Sequence, residues 1–170
     1  GDLAFVFTGA GSAYKDMGRS LMQALPELGQ NLIQRSAEAV AAMEAPWGEE
    51  TAIPPLQRLW GASALSQMHA NLSQDLLGLT PDAVIGYSSG ESNSLFATGT
   101  WTDLDSMINE GADGGLFSEE IGGKMKAVNR AWGMEVDWQT WTILAPVTEV
   151  QAVVDATAHV HLSVIHSDND

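Results

Sequence analysis

The stretch from Ala83 to Thr98 constrains the fold more than any other part of the chain. An apolar run, Ala83-Val84-Ile85, leads into Gly86-Tyr87-Ser88-Ser89-Gly90, and a helix-like segment follows from Glu91 to Thr98. That order is a strand, a tight turn and a helix with a serine at the bend, the context of a nucleophile elbow, in which glycines let the backbone turn sharply and the serine is lifted clear of the sheet edge. With glycine at 17 of 170 positions, the five letters G-x-S-x-G would arise in roughly one shuffled chain in eight. The flanking strand and helix therefore carry the inference.

Ser88 at such a bend sits at a helix N-terminus, where unpaired N–H groups and the helix dipole favour negative charge. It is the candidate nucleophile toward an acyl carbonyl, and the Ser89 N–H is one candidate donor to the oxyanion. A purely structural role is the alternative, with Ser88 capping the helix. The second donor is expected from a neighbouring strand-to-helix loop. Leu3 to Thr8 reads as a buried parallel strand ending in Gly9-Ala10-Gly11-Ser12, so the main chain of Gly9-Ala10-Gly11 is the candidate source of that donor, with Gly9 and Gly90 as the backbone beside the substrate.

Along the rest of the chain, apolar spacing predicts helices beginning near Asp16, over Leu28 to Ala41 after Pro26, over a long segment from Leu56 or Gly61 to Leu77, and over Asp103 to Asn109. A loop is expected from Ala45 to Pro55. After the glycine hinge Ile121-Gly122-Gly123-Lys124 the character changes. Helical spacing over Met125 to Trp132 and Pro146 to Ala158, with strand-like runs at Trp141 to Leu144 and Val160 to Ile165, suggests a small β-α-β unit. Ser167 to Asp170 leaves that unit without a further element, which reads as a truncated piece.

Twenty-two acidic against seven basic residues give a formal charge of −15. That balance repels nucleic acid and anionic membranes and leaves no basic stripe to track phosphates. There is no cysteine, so no disulfide framework or thiolate site is available. No run approaches the ~18 apolar residues of a membrane span, and a cytoplasmic location is expected. Neither an H-E-x-x-H motif nor a His/Asp cluster marks a metal site. His69, His159, His161 and His166 lie in contexts that suit packing or surface roles, so no base histidine for Ser88 is assigned in this segment.

Three motifs in order, Ala4 to Tyr14 with its Thr8-Gly9-Ala10-Gly11-Ser12, then Met17-Gly18, then Gly86-Tyr87-Ser88-Ser89-Gly90-Glu91, resemble the acyltransferase domains of fatty acid and polyketide synthases, of the malonyl-CoA:acyl carrier protein transacylase kind. The run Gly86 to Ala97, with Arg130-Ala131-Trp132-Gly133 and Trp141 to Pro146, is most similar to acyltransferases of polyunsaturated fatty acid synthases. The resemblance implies an α/β fold: an α/β-hydrolase-like large subdomain over residues 1–120, with a parallel sheet and flanking helices, and the start of a ferredoxin-like small subdomain over 121–170. It also implies that Ser88 takes an acyl group from acyl-CoA and passes it to the phosphopantetheine of an acyl carrier protein, among other domains of a multidomain synthase, with no bound cofactor or metal.

The chain departs from that family's pattern in three places. Ala10 replaces a glutamine, Tyr87 replaces the histidine before the nucleophile, and no arginine lies between Arg58 and Arg130 to pair a malonyl carboxylate, which favours an uncharged acyl group. The family's base histidine is expected beyond Asp170, so an isolated segment is expected to be slow or inactive. Two alternatives stand beside acyl transfer: a serine thioesterase or hydrolase, and a non-catalytic acyl-binding or docking domain.

Overall fold

The computed structural model describes residues 1–45, 47 and 53–167. Most of the expected loop between Ala45 and Pro55, and the last three residues, lie outside that set. Two compact units divide at Lys126 and Ala127.

In the first unit, β1 (Ala4–Phe7) is followed by a 3-10 turn (Ala10–Ser12), then α1 (Arg19–Ala24), α2 (Pro26–Arg35), α3 (Ala37–Glu44) and α4 (Pro55–Asn71). A π turn (Leu72–Leu76) continues α4, and β2 (Ala83–Gly86), α5 (Ser89–Ala97), α6 (Leu104–Asp113) and a second π turn (Leu116–Glu120) complete it. Leu32, Ala39, Val40, Met43, Trp60, Ala64, Met68, Phe96, Leu104 and Ile108 form the core. It is a helical core, and α3 against α4 is its centre. Gly61 makes the close crossing possible: a methyl group there would stand 3.2 Å from Met43 Cα.

The segment expected as one helix over Leu28 to Ala41 is two. Ser36 takes an extended conformation between them, and its Oγ caps α3 by accepting from the Ala39 N–H at 3.1 Å. The same hydroxyl donates to Asp105 Oδ1. A serine competes well for backbone hydrogen bonds when it can cap, so the apolar period runs on through a break in the backbone.

β1 and β2 pair in parallel, with Ala4 opposite Ala83 and Phe7 opposite Gly86, and the pairing extends through the Tyr87 N–H to the Phe7 carbonyl at 3.0 Å. Among the described residues this is a two-stranded sheet. The expected α/β-hydrolase-like subdomain is therefore corrected: the unit is mostly helical and carries a small open sheet instead of an extensive parallel one. The run Leu3 to Thr8, read as a buried strand, is covered on one face only, and β2 beside it likewise. Phe5, Phe7, Val84 and Gly86 share the more covered face, while Val6 and Ile85 on the other are 72% and 61% exposed. A short apolar run fits a one-sided strand as well as a two-sided one, because burial is decided by what covers each face.

The second unit contains α7 (Lys126–Trp132), which begins at the boundary, and α8 (Val147–Asp155). The expected ferredoxin-like β-α-β is also corrected, because Trp141 to Leu144 and Val160 to Ile165 form no strands. β-propensity is realised through cross-strand partners, and these two runs do not form a ladder with one another. A ring cluster organises the unit instead. Trp132 lies 5.4 Å from Trp138, 4.5 Å from His159 and 5.8 Å from His161.

Candidate functional site

The elbow is built from backbone crowding. At Gly90 a methyl group would overlap the Phe7 carbonyl, and at Gly86 it would overlap the main chain of Gly90 and Glu91. Only glycine lets the end of β2, the start of α5 and the end of β1 approach so closely. Between the two glycines, Ser88 takes φ 56° and ψ −126°, a conformation that costs a side-chain-bearing residue of order 1–3 kcal/mol and persists only where the surroundings impose it. The Gly90 N–H to Tyr87 carbonyl and Glu91 N–H to Ser88 carbonyl bonds, 2.9 and 3.0 Å, close the turn.

The loop after β1 comes to the same place. A methyl group on Gly9 would lie 3.0 Å from Ser88 Cβ and 3.1 Å from the Tyr87 carbonyl, so Gly9 and Ser88 are in van der Waals contact range. Ser12 fastens that loop by donating from its Oγ to the Gly9 carbonyl at 2.8 Å, and its hydroxyl pairs with Thr8 Oγ1 at 2.9 Å. Among the described residues, the N–H groups of Ala10 and Ser89 donate to no backbone carbonyl. Gly9, Ala10, Ser88, Ser89 and Gly90 thus belong to two adjoining turns at the ends of parallel strands.

Among the described residues of the first unit, no catalytic partner stands beside the elbow. His69 is the histidine of this unit, and no hydrogen bond joins it to Ser88; partial burial of its ring on α4 holds its pKa below the ordinary histidine value. His159 and His161 pack against Trp132 in the second unit. No Ser-His-Asp arrangement forms around Ser88 among the described residues, and no group of acidic or histidine side chains there could hold a metal. The reading of Ser88 as an acyl-transferring nucleophile is therefore corrected. A serine at a helix N-terminus is a weak nucleophile until a base accepts its proton.

Sequence reasoning missed a polar seam beneath the elbow. Gln67 on α4 and Asn93 on α5 are 2% and 0% exposed, and Gln67 Nε2 donates to the Asn93 carbonyl at 3.0 Å. Buried beside helical apolar positions, both residues look like ordinary solvated polar residues in the sequence. The one signal was spacing, because Asn93 lies one helical turn beyond Ser89 and shares its face.

No family model matches the chain. Similarity to long synthases is partial. A highly reducing polyketide synthase, easB of Emericella nidulans, is 30% identical over 126 residues, which cover 69% of this chain and 5% of that protein. The highly reducing polyketide synthase sdnO of Sordaria araneosa is 33% identical over 111 residues, 57% of this chain and 3% of the relative. The partially reducing polyketide synthase tpeA of Talaromyces stipitatus is 29% identical over 157 residues, 80% of this chain and 6% of the relative. The chain thus spans about a twentieth of the length of these proteins. These matches replace the narrower resemblance to a transacylase-type domain of a polyunsaturated fatty acid synthase with a distant, partial similarity to multidomain polyketide synthases.

Proposed function

We propose that this chain is a non-catalytic docking module of a multidomain polyketide-type synthase, seated on neighbouring domains through the outer face of its small sheet. The uncovered face of β1 and β2 carries the proposal. Parallel strands are ordinarily covered on both faces, yet Val6 and Ile85 stand exposed side by side in the β1–β2 register. The partial similarity to synthases supports a neighbouring synthase domain as the cover.

A second reading, acyl binding without transfer, is favoured by one specific observation. The Ala10 and Ser89 N–H groups donate to no backbone carbonyl, and their loops adjoin at Gly9 and Ser88. Two such donors suit the carbonyl oxygen of an acyl thioester, including one carried on phosphopantetheine by an acyl carrier protein. With no base beside Ser88 among the described residues of its unit, this reading expects no ester bond between Ser88 and the acyl group.

Intact-mass measurement after incubation with short acyl-CoA thioesters tests the non-catalytic reading. No mass gain is expected, and Ser88→Ala should behave as the native protein does. A stoichiometric acyl adduct that disappears in Ser88→Ala would overturn it.

A further inference from the structure

Among the described residues, the buried side-chain polar atoms without a hydrogen-bond partner all fall in one seam: Gln67 Oε1, Ser89 Oγ, and Asn93 Oδ1 and Nδ2. Ser89 and Asn93 are four residues apart on α5 and so share a face. The bond from Gln67 Nε2 to the Asn93 carbonyl, 3.0 Å, ties the α4 side of the seam to that face. Asn93 and Gln67 are almost wholly buried, so bulk solvent does not satisfy them, and buried polar groups in folded proteins find partners.

The chemistry of the set defines what fits. Gln67 Oε1 and Asn93 Oδ1 only accept, Asn93 Nδ2 only donates, and the Ser89 hydroxyl does either. None carries a charge, which leaves an ion uncompensated. A neutral ligand with two donors and two acceptors complements them, and water is the smallest such molecule. Buried waters typically make about three hydrogen bonds to groups of this kind.

We propose that Gln67, Ser89 and Asn93 form a buried water-binding site clamped between α4 and α5. The water donates to Gln67 Oε1 and Asn93 Oδ1 and accepts from Asn93 Nδ2 or Ser89 Oγ. Because Ser89 follows Ser88 directly, the site anchors the strained elbow peptide to α4 through the neighbouring side chain. It is a positioning device for the elbow, and it does not depend on whether the elbow binds an acyl group.

A high-resolution crystal structure of the intact chain tests this directly. Solvent density within about 2.7–3.2 Å of at least three of the four atoms is expected. Asn93 Nδ2 donating straight to Gln67 Oε1 with no solvent density between the helices would overturn it. In solution, the backbone N–H groups of residues 89–93 should show nuclear Overhauser effects to long-lived water in the native protein, and their absence there would count against the site. Gln67→Leu combined with Asn93→Leu should abolish those effects, and their persistence in that variant would contradict the proposal. Ser89→Ala should speed amide exchange at Gly90 by about tenfold if the site anchors the elbow, and an unchanged rate would remove the anchoring role.

Discussion

At the scale of single residues, the elbow is set by two glycines and a strained serine. Gly90→Ala is expected to destabilise the chain by about 1–3 kcal/mol, because the added methyl meets the Phe7 carbonyl and the end of β1 must shift; the midpoint of urea unfolding reads this. Ser88→Gly should move the midpoint the other way by up to about 1 kcal/mol, since glycine adopts the positive φ of Ser88 without strain. The turn was legible in the sequence because both glycines and the serine fall between a strand-like run and a helix-like one. The ring packing of His159 and His161 on Trp132 was not legible, because which rings meet depends on how the second unit folds. Gln67 and Asn93 escaped notice for a similar reason, as burial of a carboxamide depends on which helix crosses it.

At the scale of elements, the break between α2 and α3 turns on Ser36. Ser36→Ala removes the cap on the Ala39 N–H and the donor to Asp105 together, and a loss of about 1–2 kcal/mol is expected by denaturant unfolding. The second π turn (Leu116–Glu120) makes a pH prediction. Hydrogen bonds from Lys124 and then Lys126, reinforced by their charges, lower the Glu119 pKa from the ordinary glutamate value of 4.5 to about 2. A depressed carboxylate pKa stabilises the folded state above the unfolded-state value, so the contribution is present above pH 4.5 and fades as pH falls toward 2. Amide protection factors in residues 116–124, which remove the intrinsic pH dependence of exchange, should therefore fall across that window, and Glu119→Gln should flatten the dependence. Helices were the easier elements to read, since their 3.6-residue period survives even where Ser36 interrupts it. The strand-like runs at 141–144 and 160–165 were misread because a strand needs a partner that local sequence does not name.

At the scale of the whole molecule, the two units differ in how they are held together. The first has the α3–α4 core with Met43 and Met68 at its centre. The second has the Trp132 ring cluster but no fully buried side chain among its described residues. Hydrogen exchange on the intact chain should show residues 127–167 exchanging well before the amides of α3 and α4, because local opening is easiest where few apolar contacts are buried. Equal protection in both units would contradict that ordering. The open outer face of the sheet is the other large-scale feature, and it is where the account of function rests. Titration calorimetry of the chain against isolated polyketide synthase domains tests it most directly. The account predicts saturable binding that Val6→Asp combined with Ile85→Asp weakens at least about tenfold, since two carboxylates would be forced into an apolar contact. No binding, or binding equally tight in that variant, would contradict it.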